Sequence, residues 1–437
     1  MRALNTGGAL LRSGSAARLL AGALLLTPVA AAAPQPEQEP SVSAQDLFDE
    51  VIYELGLNYG GPSQARAQDL RERFLPRVQA LCAGQSLCPS KAVYPLIGEL
   101  LRALNDDHTN FFVPGEWTAR ELESSGQASS LSFGLVTRLM PGQGILVTEV
   151  LPGSPAEQAG LHAGDLLTHL GRLPLLSEWA GAKLGAAGRA GRAAELSYSR
   201  AGRPAQVSLS GAEFVAPAVS LDMLANRTAL LRLRHFDAQG VAQDLHDALR
   251  RAQQEGAERA VLDLRGNPGG LLSEAVLSSG AQTQPAPLLD VERSLSTLHS
   301  YDGGRYLIDG KAQRGQRVFK PQRFTGPLAV LVDQDSASGA EFMARDLLSR
   351  PQTVVLGQPT VGVGDSATQL LPLADGSGLQ VTVSRMQTAN GQPLSARVQP
   401  QVPVKRDDAA FARTGQDPEL AAALRALDGL AAGNLAP

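Results

Sequence analysis

The chain has 437 residues, 43% of them apolar. At about 150 residues per domain that is material for roughly three packed units, which excludes disorder as the dominant state. Its 39 Lys and Arg against 43 Asp and Glu give a net charge of -4, which argues against a nucleic-acid partner held by phosphate neutralisation, and two cysteines cannot make a disulfide framework or a four-thiolate zinc site.

Residues 1–33 hold Arg2, Arg12 and Arg18 and no acid, then an apolar run from Leu19 to Leu26 and the small residues Ala30 to Ala33. This pattern predicts a signal peptide cut near Ala32, because Leu19 to Ala33 falls short of the about 20 apolar residues that span a bilayer. No later segment is long and apolar enough to cross a membrane, so the expectation is an exported protein with no membrane span in the mature chain, placed in the periplasm, the cell envelope or the medium.

A Pro/Gln/Glu-rich linker at 34–42 leads into an N-terminal helical region at 43–127. Leu47, Val51, Ile52 and Leu55, then Leu70, Phe74, Val78 and Leu81, then Val93, Leu96, Ile97, Leu100, Leu101 and Leu104 recur at helical spacing. Cys82 and Cys88 bracket a turn between two of these patterns, which suits either a local disulfide in an oxidising compartment or two buried thiols.

From 128 to 213 the pattern changes to short alternating strands with turn signals, as in Gly144 to Val150 and Ala194 to Ser199. Ser132-Phe133-Gly134-Leu135 opens this module, and the stretch Gly153 to Leu167 follows with a Ser-Pro-Ala helix start, a Gly160 stop and a Gly164-Asp165 strand start. The module resembles a PDZ domain. That resemblance implies that Ser132, Phe133, Gly134 and Leu135 offer backbone N–H groups to a terminal carboxylate, and that the adjoining strand edge accepts a peptide as an added strand. The Ala/Gly-rich run from Trp179 to Ala194 leaves its groove-lining helix poorly defined.

From 214 to 437 strands alternate with helices, which predicts an α/β core with a mainly parallel sheet and a closing helix from Pro418 to Leu430. The strand 260–264 runs into Arg265-Gly266-Asn267-Pro268-Gly269-Gly270 and a helix. The strand 328–332 runs into Asp333-Gln334-Asp335-Ser336-Ala337-Ser338-Gly339-Ala340-Glu341 and another. Glycines that let backbone N–H groups approach closely, and a serine at a helix N-terminus, suit the binding of a developing oxyanion. Ser338 also suits a plain helix cap.

On these two motifs together the chain is similar to the serine-type C-terminal processing peptidases and their tricorn-like relatives, over most of its length. The resemblance implies a multidomain α+β architecture of helical unit, PDZ-like module and peptidase core, no cofactor, and polypeptide substrates or protein C-termini as partners. It places the nucleophile on Ser338 and the oxyanion donors on Gly269 or Gly270 and on Gly339. It also exposes a departure: the family's general-base lysine falls on Val363, and none of the five lysines lies between 321 and 404. The glutamine that accompanies that lysine shifts to Ala367, or to Gln369 if residues are inserted.

A serine hydroxyl needs a base, and His108, in Asn105-Asp106-Asp107-His108-Thr109, matches the Asp-x-His-Thr stretch where tricorn-like relatives carry their catalytic histidine. His108 also suits a capping or packing role. Asp365 or Glu341 are the acids available to orient it. His162, His169, His235, His246 and His299 are scattered, and no metal site is expected from them. The expected function is an exported serine endopeptidase with a non-lysine base. The alternative is a retired peptidase scaffold that binds protein tails.

Overall fold

A computed structural model of the chain describes residues 42–124, 130–292 and 295–431. The signal-peptide reading at 1–33 and the linker up to 41 lie outside the described residues. Among the described residues no helix is long and apolar enough to cross a membrane.

The helices Ala44–Asn58, Ala67–Leu81 and Tyr94–Arg102 turn their apolar stripes onto one another. Ser43 caps the first, its hydroxyl accepting the Asp46 N–H at 3.1 Å. Leu47, Phe48, Leu70, Phe74, Ile97 and Leu100 share one buried cluster, whereas Leu81 at its helix end is 39% exposed and Leu96 only partly buried. Cys82 and Cys88 form a disulfide across the turn that follows. This unit does not close on itself. Its core takes in Leu373, Leu379 and Val381, and Asn110–Phe112 pairs antiparallel with Gly378–Thr388, with Asn110 opposite Gln380.

The β module is an antiparallel sheet in the order Leu135–Met140, Gly144–Val150, Leu166–Leu170, Ala193–Arg200, Arg203–Ser210, with Leu135–Met140 at its edge. Ser154 caps the short helix Pro155–Gln158, and Gly160, at φ 74°, ends it. The Ala/Gly-rich run does form a helix, Glu178–Arg189, because Ser177 caps it and Ala180 and Leu184 pack inward.

The core sheet runs Val219–Leu224, Thr228–Leu233, Arg259–Asp263, Leu328–Val332, Thr353–Gly357, Val402–Pro403. Its first pair is antiparallel and the others are parallel. Every residue of Leu328–Val332 is buried, as a strand covered on both faces requires. On one face it packs with Leu245, Leu249, Ala275, Met343 and Leu347, and on the other with Ala423 and Leu427 of the closing helix Pro418–Ala431.

The expectation of one mainly parallel sheet is incomplete. A second sheet, seven-stranded and antiparallel throughout, is built from Asn110–Phe112, Gly378–Thr388, Leu288–Glu292, Leu295–Asp302, Arg305–Ile308 and Lys311–Arg317, with Ser366–Pro372 paired to Gly378–Thr388. Strand Gly378–Thr388 thereby brings residues 108–112 beside residues 366–372, far apart in the chain.

Candidate active site

Ser338 sits at the turn from strand Leu328–Val332 into helix Gly339–Leu348, with φ 49° and ψ -111°. A left-handed φ at a non-glycine residue is strained and persists only where its surroundings fix it. They do so here. Ser336 Oγ donates to the Leu264 carbonyl at 2.8 Å, and the Ala337 N–H donates to the Asn267 carbonyl at 2.9 Å. The buried Asn267 donates through Nδ2 to the Leu233 carbonyl and accepts the Gly269 N–H on Oδ1, both at 2.9 Å.

The glycine loop is pressed against the serine. A Cβ on Gly269 would lie 2.7 Å from the Ser338 Cβ and 2.8 Å from the Gly339 nitrogen, and one on Gly270 would lie 2.4 Å from the Phe236 carbonyl carbon. Of the three expected donors the Gly269 N–H is already committed to Asn267. The N–H groups of Gly270 and Gly339 take no hydrogen bond among the described residues. Two backbone donors beside a hydroxyl at a helix N-terminus are the parts of an oxyanion site.

Glu341, fully buried one turn into the helix, accepts the Ser338 N–H at 2.9 Å, the Gly362 N–H at 2.8 Å and the Val363 N–H at 3.0 Å, and also the Thr360 hydroxyl. One oxygen, Oε2, serves both Ser338 and Val363, so the loop around Val363 is tied directly to the Ser338 turn. Val363 itself is 5% exposed. Gln369 is exposed on Ser366–Pro372 and Ala367 packs into an apolar cluster.

His108 is buried just before Asn110–Phe112. Its N–H donates to Asp106 at 3.1 Å and its carbonyl accepts from Gln380 Nε2 at 3.2 Å. Its Nδ1 lies 2.8 Å from Ser366 Oγ, which is 3.3 Å from the Val363 carbonyl. Among the described residues no hydrogen bond joins His108 to the Ser338 hydroxyl. Burial lowers the imidazole pKa from 6.5 to about 4, with Asp106 pulling it up and Arg120 pushing it down.

Neither expected acid orients the histidine. Asp365 pairs with Arg385, and Glu341 is committed to the four donors above. Ser366 is the group that sequence reasoning missed, since a lone serine three residues past Val363 carries no signal of its own. His235 accepts the Asp237 N–H on Nδ1 at 3.2 Å. Among the described residues no three His, Cys, Asp or Glu side chains gather into a metal site.

In the β module the Gly134 N–H donates to Ser132 Oγ at 3.2 Å, and the Phe133 and Gly134 carbonyls accept from Ala156 and Leu151 at 2.9 Å. One donor expected for a carboxylate is therefore held by the loop's own serine. The edge strand Leu135–Met140 borders a cavity of about 770 Å³ whose far wall includes Leu233, Gly266 and Asp333, at the carboxyl ends of the core strands. Arg138 to Asp408 at 2.9 Å and Glu149 to Arg234 clamp the module onto the core.

Residues 227–404 match peptidase family S41 and residues 120–210 match the PDZ domain. The chain is 26% identical to the carboxyl-terminal-processing protease of a Picosynechococcus strain, over 80% of each chain. It is also 26% identical to the carboxy-terminal processing protease CtpA of Bacillus subtilis, over 73% of this chain and 65% of that protein. A solved structure described as an S41 protease from Bacteroides fragilis superposes with a TM-score of 0.60 at 18% identity, over 91% of this chain and 99% of that one, which shows a shared fold. By these matches residues 227–404 are a serine peptidase domain of the S41 type, and a PDZ domain at 120–210 precedes it.

Proposed function

We propose that this peptidase is exported and cleaves polypeptides at or near their C-terminal segments through an acyl-enzyme, with Ser338 as nucleophile, the Gly270 and Gly339 N–H groups as oxyanion donors and His108 as proton acceptor. The observation that carries this reading is the strained Ser338 turn packed on the glycine loop with those two donors uncommitted. Cleavage near C-termini is what the names of the similar proteases describe. The edge strand Leu135–Met140, open toward the core, suits capture of an extended tail. Export fits the disulfide and the leader-like residues 1–33.

Ser338 Oγ attacks the scissile carbonyl as its proton passes to His108, the oxyanion lodges between the two amides, and the same proton leaves on the departing amine. Water then opens the ester by the reverse relay. A base with pKa about 4 is unprotonated at neutral pH and accepts a proton weakly. Substitution of His108 by Gln should lower kcat/KM on unfolded casein about 10^2- to 10^4-fold. In the wild type the acid limb of kcat/KM should lie near pH 4 rather than 6.5. Because the fold favours the neutral ring, His108's contribution to stability is at its full value above pH 6.5 and declines as pH falls through 6.5 toward 4. An unchanged His108→Gln enzyme would remove this base. A wild type that binds tails but never cleaves would favour the scaffold reading that Val363 suggests.

Replacing Gly269 by Ala should displace Ser338, since the new Cβ would meet its Cβ at 2.7 Å and the backbone sits at φ 97°. A shift near 1 Å costs about 10^2-fold in kcat, with KM little changed. Steady-state kinetics beside a thermal melt would separate this from unfolding.

A further inference from the structure

We propose that Ser366 is a positioning residue for His108: its hydroxyl holds the imidazole as the Nδ1–H tautomer, so that Nε2 presents the basic lone pair. This rests on the assignment of His108 as proton acceptor and deepens it.

Both partners are buried, His108 at 7% and Ser366 at 4% exposure, and Nδ1 and Oγ are 2.8 Å apart. A neutral imidazole carries one proton and a hydroxyl carries one, so either group can donate to the other. The Val363 carbonyl decides between them. It lies 3.3 Å from Ser366 Oγ, within reach of the hydroxyl proton, and belongs to a residue 5% exposed. If Ser366 gives its proton to the ring, the carbonyl loses the hydroxyl's hydrogen bond and faces its lone pair instead. If Ser366 gives it to Val363, every group is satisfied, provided the ring donates from Nδ1. The second arrangement leaves Nε2 bare.

The same contacts fix where the ring stands. Ser366 is tied to Val363, Val363 to Glu341 Oε2, and that oxygen to the Ser338 N–H. His108 thus hangs on a continuous chain of hydrogen bonds that ends on the nucleophile. The charges that act on the ring are Asp106 and Arg120, which pull its proton affinity in opposite directions, while Gln380 holds the His108 carbonyl and Ser366 meets the ring itself. Ser366 Oγ meets the ring at Nδ1.

The test is 15N NMR of the full chain with labelled histidine, assigned by comparison with His108→Gln, together with kinetics of Ser366→Ala and Ser366→Thr. The expected wild-type spectrum shows the His108 proton on Nδ1. Ser366→Ala should move it wholly or partly to Nε2 and lower kcat about 10^2-fold, with KM and melting temperature little changed. Ser366→Thr, which keeps the hydroxyl, should restore both the tautomer and most of the rate. A wild-type proton on Nε2, or a Ser366→Ala enzyme with wild-type spectrum and rate, overturns the proposal while an inactive His108→Gln leaves the base assignment standing. A fully active His108→Gln enzyme removes both.

Discussion

Replacing Ser338 by Ala should abolish peptide hydrolysis, lowering kcat/KM by about 10^4-fold or more, while the melting temperature stays within a few degrees of wild type. The loss follows from the position of the hydroxyl: it stands at a helix N-terminus beside the uncommitted Gly270 and Gly339 amides. The fold is spared because the bonds that hold the turn are made by Ser336, Ala337, Asn267 and the Ser338 backbone, and the side chain of residue 338 contributes little to them. A fluorophosphonate that labels the wild type and leaves Ser338→Ala untouched, with thermal melts of both, checks the claim. Equal labelling of the two proteins would move the nucleophile elsewhere.

Glu341→Ala should be the most destabilising single change near the site. It strands the N–H groups of Ser338, Gly362 and Val363 and the Thr360 hydroxyl around a residue with no exposed surface. Each unsatisfied buried donor costs about 1–3 kcal/mol, and partial filling by water brings the sum to about 3–5 kcal/mol. Urea melts should show that loss. Activity should fall with it, because the same carboxylate fixes the nucleophile turn and the loop that carries Val363. Glu341→Gln should lie between: its amide nitrogen cannot accept the two donors that meet the oxygen it replaces.

The turns that carry Ser338 and the glycine loop were legible because they are local. Ser338, its capping partner Glu341 three residues on, and the glycines at 269 and 270 lie in strand-turn-helix passages whose punctuation is readable in a window of ten residues. That no lysine lies between 321 and 404 was equally plain. The rest of the site depends on long-range pairing. His108 meets Ser366 only because Asn110–Phe112 and Ser366–Pro372 both pair with Gly378–Thr388, and no periodicity announces a register such as Asn110 with Gln380. For the same reason the sequence did not show that Leu379 and Val381 complete the core of the helical region. That the Gly269 N–H is spent on Asn267 was also invisible, since it turns on where one amide side chain points.

The span of 258 residues between His108 and Ser366 bears on when the enzyme is born. A chain emerging from the ribosome presents the proposed base first and its hydroxyl partner 258 residues later, and strand Gly378–Thr388, which aligns them, follows after that. At roughly 5–20 residues per second, many seconds of synthesis pass in which no working centre exists. Competence in the proposed reaction therefore arrives only after strand Gly378–Thr388 has been made and paired.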